Sequence, residues 1–292
     1  MSTKKHGLRT LVKQTHSFQI SSNCKFGRIP SVLTVEERQR VVDNLDSVDK
    51  CWLNRSMCDP KVPFWTFGAV TYLEGCDSLI KYHQHKDAIN PILKKKFSWL
   101  YDITARRMSE ELGDLVVFDD NLALPGFHIF GPKKGVVMSK QDCFYLQQPL
   151  ASIHTDIQYK EHKEYWDRYE KVDLENTLSF TMSIKLPKHG GGLYIWDWAE
   201  FNQEMIDTFN FQHNDEKIEV LKNKYLWDND SLNGYDMKEE PLYEEYVEGN
   251  MVYFIGHLVH QIAPATVCEP TDRRITLQGH GVKCDGIWRC YF

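Results

Sequence analysis

The chain has 292 residues, of which 42% are hydrophobic and 26% charged, so it is long and apolar enough to bury an ordinary core. Its formal net charge of −6 provides no global basic field that would attract nucleic acid or anionic lipid. The basic start is followed by no apolar run of the secretory kind, and no stretch approaches the ~20 apolar residues of a membrane helix. We therefore expect a cytoplasmic protein without a membrane or nucleic-acid partner, whose 8 cysteines, which form no Cys-x-x-Cys pair, are reduced thiols.

The first part of the chain carries two helix signals. The capping box Thr34–Glu37 predicts a helix over 35–48. A longer helix is predicted to begin with Asn90 as its N-cap and Pro91 as its first helical residue, and to end at Gly113. Apolar residues recur on one face of this second helix, which favours a scaffold element packed against a sheet.

From about residue 115 the pattern changes to short β runs separated by turn residues, which is typical of a sandwich or barrel. A polar segment over 199–247 interrupts the series, and we interpret it as a partly helical insertion that covers the barrel mouth like a lid. We therefore predict a mainly β, α+β chain with an N-terminal helical and mixed extension over 1–114 and a catalytic core over 115–292. The predicted strands are Leu115–Phe118, Gly126–Phe130, Cys143–Gln148, Ile153–Ile157, Leu178–Leu186, Leu193–Trp198, Met251–Ile255, Gln261–Ala265 and Arg274–Gln278.

A possible metal site begins with His154 and Asp156, which are two positions apart and would share one face of a strand. Two imidazoles and one carboxylate form the facial triad of non-haem iron(II) oxygenases, which leaves coordination positions open. The third ligand must come from elsewhere, and His260 is preferred because an apolar strand and turn lead into it. His257 is the alternative, and on an extended strand it would face the opposite way.

Arg274 is the predicted anion site, because a guanidinium can hold a carboxylate through two parallel hydrogen bonds. Thr276, two positions later, would share its strand face and add a hydroxyl hydrogen bond. Arg273 would face away and is expected to be a solvated surface charge.

These motifs in this order, His-Thr-Asp, a distal histidine and Arg-Arg-Ile-Thr, resemble the iron(II)/2-oxoglutarate-dependent dioxygenase superfamily. The Gly-rich run Lys188–Trp196 is similar to a strand found between the two halves of the triad in that family. The resemblance covers about residues 140–281 and does not extend to the N-terminal third. It implies a double-stranded β-helix, which is a jelly-roll, cupin-like core.

The resemblance also implies roles for individual residues. His154, Asp156 and His260 match the Fe(II) ligands, and Arg274 and Thr276 match the 2-oxoglutarate anchor. Arg274 follows the distal histidine at a slightly longer spacing than the family pattern, because an intervening turn is extended.

Further contacts are assigned less specifically. The strand that precedes His-x-Asp usually supplies another co-substrate contact, for which Tyr145 and Gln147 are the candidates, with buried packing as the alternative. Side chains that could meet a substrate, each with a structural alternative, are Trp196, Trp198, Gln278, His280 and Arg289.

The expected activity is that of an Fe(II)- and 2-oxoglutarate-dependent oxygenase that uses O2 and releases succinate and CO2. Its substrate would be a small polar metabolite, such as an amino acid or a natural-product intermediate. Three alternatives remain open: the same chemistry on a protein substrate, a triad oxidase that does not use 2-oxoglutarate, and a cupin-like metal-binding protein that is not an enzyme.

Overall fold

The computed structural model of the chain describes residues 26–55, 63–70, 79–148, 151, 153–200, 227–228, 236–237 and 241–292. Only the backbone is described at 197–200, 227–228 and 236–237. Trp198 and most of the predicted insertion over 199–247 therefore lie outside the side chains that can be placed. Within the described part, no helix is both long enough and apolar enough to cross a membrane.

The described residues are mainly β, and most strands pair antiparallel. The strands are β1 Phe26–Ile29, β2 Leu53–Asn54, β3 Phe64–Phe67, β4 Val116–Phe118, β5 Gly126–Phe130, β6 Val172–Lys185, β7 His189–Gly190, β8 Leu193–Glu200, β9 Trp227–Asp228, β10 Asp236–Met237, β11 Leu242–Glu244, β12 Met251–Ile255, β13 Leu258–Ile262, β14 Ala265–Val267, β15 Arg274–Cys284 and β16 Ile287–Tyr291. The helices are α1 Val35–Asp46, α2 Leu79–Leu112, α3 Lys140–Leu146 and α4 Lys163–Trp166, with short 3-10 helices at Asp49–Cys51 and Gln158–His162.

The largest sheet has the strand order β1-β12-β6-β15-β5-β3-β2, and β16 pairs with the second half of β15 and with β4. A smaller sheet has the order β11-β8-β13, and β7 pairs with β14. Strands β1, β2 and β3 belong to the large sheet although they precede residue 115. The predicted insertion over 199–247 was expected to be partly helical, but all of its described elements are strands: β8 extends to Glu200, β9 pairs with β10, and β11 pairs with β8.

The two faces of the large sheet differ in polarity because side chains alternate along each strand. One face is apolar, with residues such as Phe180 and Leu277, and it shares a core with Leu93 and Phe97 of α2. The opposite, inner face is polar along the central strands β6 and β15. Its buried members on neighbouring strands are Ser179, Thr181, Ser183, Thr276, His280 and His128.

The predicted helix over 35–48 is confirmed as α1, whose capping box joins Thr34 and Glu37 as expected. The predicted start of the second helix is wrong, because α2 already includes Leu79 and carries Pro91 in its interior. Pro91 and Asp87, one turn earlier, are both exposed, so water can satisfy the carbonyl that the proline leaves without a hydrogen bond.

Seven of the nine predicted strands overlap observed strands, although the one over 261–265 spans the break between β13 and β14. The strand predicted over Cys143–Gln148 is wrong, because Ser139 and Asp142 form a capping box that begins α3. The strand predicted over Ile153–Ile157 is also wrong. It is reduced to a single bridge at His154, followed by a loop.

Candidate metal centre and anion site

The backbone brings His154 and His260 side by side. The amide of His154 donates to the carbonyl of His260 at 3.0 Å, and the amide of His260 donates to the carbonyl of His154 at 2.9 Å. The amide of Asp156 in turn donates to the carbonyl of Gly256 at 2.7 Å. Strand β13 and the turn before it therefore hold both ends of the His-Thr-Asp segment.

The side chains of His154, Asp156 and His260 form one cluster, in which one donor atom from each lies within 4.8 Å of the others. The Nε2 atom of His154 is 3.8 Å from Asp156 Oδ1, and Nε2 of His260 is 3.5 Å from Asp156 Oδ2. Asp156 and His260 are buried, whereas the His154 side chain is 36% exposed, so the cluster is open on one side. Two nitrogens and one oxygen that leave an open side fit a ferrous ion with room for further ligands.

His260 is oriented for metal binding by its own strand. Its Nδ1 donates to the carbonyl of Leu258 at 2.8 Å, which leaves the lone pair on Nε2, the nitrogen that faces Asp156. Burial lowers the pKa of His260 to about 4, so the ring is neutral near pH 7. The Nε2 of His257 instead lies 3.1 Å from the hydroxyl of Tyr159.

The carboxylate of Asp156 is surrounded by hydrogen-bond donors. Burial alone would raise its pKa, but the imidazoles of His280, His260 and His154 and the hydroxyl of Ser179 outweigh burial and hold the pKa well below its usual range. Outside the triad, Gln158 Nε2 donates to Asp156 Oδ1 at 3.3 Å. The group is therefore an anion at any pH at which the protein would work, as a metal ligand must be.

Arg274 is a buried cation at the start of β15, only 5% exposed. Its Nε donates to the carbonyl of Gly191 at 2.8 Å, and Nη1 donates to the hydroxyl of Thr276 at 3.4 Å. The guanidinium contacts the rings of Phe130 and Tyr246, with its carbon 5.6 and 5.4 Å from their centroids.

The Nη2 atom of Arg274 is buried without a hydrogen-bond partner, and no carboxylate among the described residues pairs with this guanidinium. Burial lowers the pKa of Arg274, which shows that the cation is desolvated at this position. A buried cation with an unused donor fits an anionic ligand, and a carboxylate matches its geometry.

The Gly-rich run sets the orientation of Arg274. Gly190 and Gly191 have φ values of +82° and +76°, which favour glycine, and a Cβ on Gly190 would lie 2.6 Å from the carbonyl oxygen of Pro264. This turn directs the carbonyl of Gly191 at Arg274 Nε. The Gly-rich run singled out in the sequence therefore has a structural role here, which is to accept the Nε hydrogen of Arg274 and so orient its guanidinium.

A row of polar side chains on the inner face of β15 joins the two parts of the site. Thr276, Gln278 and His280 follow Arg274 at intervals of two residues, and Gln278 Nε2 donates to the hydroxyl of Thr276 at 3.4 Å. At the far end of the row, His280 Nδ1 is 3.6 Å from Asp156 Oδ2. The polar row on β15 therefore leads from the anion site to the carboxylate of the metal cluster.

His128 lies opposite Thr276 in the register of the sheet, and its Nδ1 is 2.9 Å from the hydroxyl of Thr66. Burial, followed by the charges of Arg55 and Arg274, lowers the pKa of His128 to about 3. This imidazole is therefore neutral near pH 7 and adds no charge to the inner face.

The structure places two predicted co-substrate contacts away from a strand. Tyr145 lies in α3 and its hydroxyl accepts a hydrogen bond from Gln141 at 3.1 Å, while Gln147 is the C-terminal cap of that helix. The prediction that they precede the triad on a strand is wrong, because the capping box at Ser139 favours a helix there.

The other residues predicted from the sequence differ in their surroundings. Gln278 is in the polar row. Trp196 is buried in β8 opposite Val259, whereas His260 lies opposite Ile195. Because side chains alternate along a strand, Trp196 points to the opposite face of the small sheet from His260. Arg289 pairs with Asp119 at 3.4 Å. Arg273 was expected to be solvated, and this is wrong, because it is buried and paired with Asp46 at 2.8 Å.

Three residues that surround the site were not singled out from the sequence. Ser179 lies on the central strand β6, Gln158 follows the His-x-Asp motif by two positions, and Tyr246 contacts the guanidinium of Arg274 from a loop. Of these, only Gln158 has a local sequence signal, because it follows Asp156 by two positions, as Asp156 follows His154. Ser179 is placed at the site by the register of the sheet and Tyr246 by the path of a loop, and neither produces a recognisable sequence motif.

No family model and no curated protein matches the chain. Among solved structures, it is similar to an N-substituted L-amino acid dioxygenase from Burkholderia ambifaria AMMD. The match to the crystal structure in complex with alpha-KG has 11% identity, covers 93% of this chain and 87% of that one, and has a TM-score of 0.45. A second crystal structure of that dioxygenase matches at 12% identity, with 73% and 71% coverage and a TM-score of 0.40.

A prolyl-4-hydroxylase from Pseudomonas putida matches at 11% identity, covering 93% of this chain and 95% of that one, with a TM-score of 0.33. At these identities and TM-scores, the functional assignment rests on the geometry of the site itself.

Proposed function

We propose that the chain is an Fe(II)- and 2-oxoglutarate-dependent oxygenase. The observation that carries this proposal is the combination of two features at the two ends of one polar row on β15: a His154, Asp156 and His260 donor set open on one side, and a buried Arg274 with an unused donor. The donor set alone would also fit a zinc site, and the arginine alone would also fit a purely structural cation. Together they provide the two ends needed to hold a 2-oxo diacid beside a ferrous ion.

The same proposal includes the jelly-roll fold. Residues of the small sheet, Leu193 and Ile195, share an apolar cluster with Val252 and Phe254 of the large sheet, so the inner faces of the two sheets meet. One triad ligand is on the small sheet and the anion site is on the large sheet, as expected for a double-stranded β-helix. In this proposal, residues 115–292 form the catalytic core, and strands β1 to β3 of the preceding part of the chain add to its large sheet.

In this proposal, the described residues would have distinct roles. His154, Asp156 and His260 would hold the metal, and Arg274 with Thr276 would hold the distal carboxylate of 2-oxoglutarate. When bound, iron and 2-oxoglutarate would supply the oxidising chemistry, in which O2 is consumed, succinate and CO2 are released, and a substrate C–H bond is oxidised. The rings of Phe130 and Tyr246 would exclude water from the guanidinium and strengthen its pairing with an anion.

A small polar metabolite, such as an amino acid or a natural-product intermediate, is the proposed substrate. The inner face supports this because its part on β6 and β15 presents neutral hydrogen-bonding groups, including Ser179, Thr181 and Gln278. Such groups favour a ligand that can form hydrogen bonds and disfavour a purely hydrocarbon one.

The test is an anaerobic titration of the protein with Fe(II) and then 2-oxoglutarate, in which a weak visible charge-transfer band should develop. The band should be absent from His154→Ala. In Arg274→Gln, the 2-oxoglutarate concentration for half-saturation should rise by about ten- to a hundredfold, because a hydrogen-bonded charge contributes about 1.5–3 kcal/mol.

Succinate release in air, screened with amino acids and related metabolites, then identifies the substrate class. Fe(II) binding without any response to 2-oxoglutarate would contradict the proposal and favour an oxidase that uses the triad alone. Absence of both metal binding and turnover would remove the enzyme assignment altogether.

A further inference from the structure

We propose that Ser179 and His280 are positioning residues that hold the carboxylate of Asp156 in its metal-binding orientation. This inference rests on the proposed metal centre, and it assigns a role to two side chains that are not themselves ligands. The metal affinity of the triad would then depend on the large sheet as well as on the loop that carries Asp156.

The contacts form a connected set. His280 Nδ1 lies 3.3 Å from the hydroxyl of Ser179 and 3.6 Å from Asp156 Oδ2. The hydroxyl of Ser179 also helps to lower the pKa of Asp156, as a donor near that carboxylate does. All three residues are at most 8% exposed, so little water competes for these contacts.

The direction of the hydrogen bonds follows from the acceptor at the end of the set. Asp156 is an anion and can only accept, so a nearby hydroxyl that stabilises it, such as that of Ser179, turns its hydrogen towards the carboxylate. The lone pairs of Ser179 are then free to accept from His280, and Nδ1 must carry a hydrogen because a bare nitrogen would face the carboxylate. The set therefore runs from His280 to Ser179 to Asp156.

The sheet fixes the two donors before any metal binds. Ser179 on β6 and His280 on β15 are directly opposite each other in the antiparallel register. Asp156, by contrast, lies in a loop tied by its amide to Gly256. A Cβ at Gly256 would lie 2.9 Å from the carbonyl oxygen of Asp156 and 3.4 Å from the Ser179 hydroxyl, so glycine permits this close approach.

A carboxylate that binds a metal through one oxygen has a second oxygen that needs donors, and such outer contacts typically contribute about ten- to a hundredfold in metal affinity. Without Ser179 and His280, the loop carboxylate would be free to rotate about its side-chain bonds. We therefore expect both a loss of affinity and a change in ligand geometry at the metal when either donor is removed.

Co(II) is a suitable probe because it is stable in air and its visible absorption reports ligand geometry. Ser179→Ala and His280→Phe should weaken Co(II) binding by about ten- to a hundredfold, measured by calorimetry, and should change the visible spectrum. Ser179→Thr retains the hydroxyl, and His280→Asn places an amide N–H near the position of imidazole Nδ1, so both should restore binding to near the wild-type value.

His280→Gln places its amide further from the backbone and should not restore binding. Ser183→Ala is the matched control, since Ser183 is a buried serine on the same face of β6 but lies opposite Thr276, away from Asp156. Its Co(II) affinity should stay close to that of the wild type. Thermal unfolding of each apo variant checks that it is folded.

If Ser179→Ala and His280→Phe bind Co(II) with wild-type affinity and spectrum, the positioning role is overturned while the proposed oxygenase stands. If His280→Asn is no better than His280→Gln, the role of the Nδ1 hydrogen is overturned, even where Ser179→Ala does not fold. If the wild-type protein binds no Co(II), the proposed metal centre and this inference fail together.

Discussion

His154 and His260, which are far apart in the sequence, exchange two backbone hydrogen bonds of 3.0 and 2.9 Å. The spacing of the two imidazoles is therefore set by main-chain atoms, and the side chains add only the donor nitrogens. Removing one imidazole should leave this backbone pairing intact, so a substitution there can abolish metal binding without unfolding the protein.

His154→Ala should accordingly unfold at nearly the same temperature as the wild-type apo protein, because the bridge needs no side chain and this one is partly exposed. Addition of Co(II) at 100 times its dissociation constant should stabilise the wild-type protein by about 2.7 kcal/mol and should not stabilise the variant. Differential scanning fluorimetry with and without metal measures both effects. A large loss of stability in the apo variant would contradict a backbone-determined site.

Gly190 should be far less tolerant of alanine than Gly286, although both have φ near +80°. In Gly286→Ala only the left-handed backbone is strained, at a cost of about 1–2 kcal/mol, because no atom lies within 4 Å of the new Cβ. In Gly190→Ala the Cβ would also meet the carbonyl of Pro264, which should add about 1–3 kcal/mol.

The backbone strain is the same in both variants, so the difference between their free energies of unfolding in urea measures the clash of the Gly190→Ala Cβ with the Pro264 carbonyl. Equal losses of stability in the two would show that the turn has room for a side chain. In that case the orientation of Arg274 by the Gly191 carbonyl would not depend on the glycine run.

Acid should destabilise the protein partly through His162. Burial, followed by the charges of His83 and His280, lowers the pKa of His162 to about 4, below the value of about 6.5 for an unfolded chain. Between pH 6.5 and 4 the unfolded state binds the proton and the folded state does not, so stability falls as pH decreases through this window. The contribution of His162 should be about 2 kcal/mol at pH 5 relative to pH 7.5.

His162→Phe removes this contribution and keeps a ring between Tyr82 and Tyr291. The difference in unfolding free energy between pH 7.5 and pH 5 should therefore be smaller in the variant than in the wild type. An unchanged pH dependence would mean that His162 is not held neutral. Substitution of the exposed His83 should alter the dependence much less.

Asn90 should be a strong stability determinant of α2. Its amide donates to the carbonyl of Leu122 at 2.9 Å and accepts from the amide of Leu124 at 3.1 Å. Asn90→Ala leaves both buried backbone groups without partners, which should cost about 2–4 kcal/mol in urea unfolding. Asn176→Ala, at an exposed position whose amide bonds only to Asp173, should cost much less.

Asn90 also shows why the start of α2 could not be read from the sequence. An asparagine before a proline is a common way to begin a helix, and the local signal is correct as a preference. The asparagine is used instead for a contact with residues 122–124, more than 30 positions later, and the proline sits on the exposed face. A tertiary contact of this kind leaves no local pattern.

The candidate metal cluster was predictable because metal-binding chemistry restricts residue types. A histidine and a carboxylate two positions apart, a distant histidine after an apolar strand, and an arginine before a strand each carry a signature. Ser179 carries none, since a serine inside a long β run differs from its neighbours only through the register that places it opposite His280. Arg273 illustrates the reverse error, because the identity of Asp46 as its partner depends on how α1 packs against the sheet.

The polar row along β15 places the anchor for an anion and the support for the metal carboxylate on a single strand, from Arg274 to His280. A displacement of that strand along its axis would move both ends together and preserve their separation. The distance between Arg274 and the imidazole beside Asp156 is thus a property of one rigid element, whereas the position of the metal ligands also depends on how β13 of the small sheet packs against it.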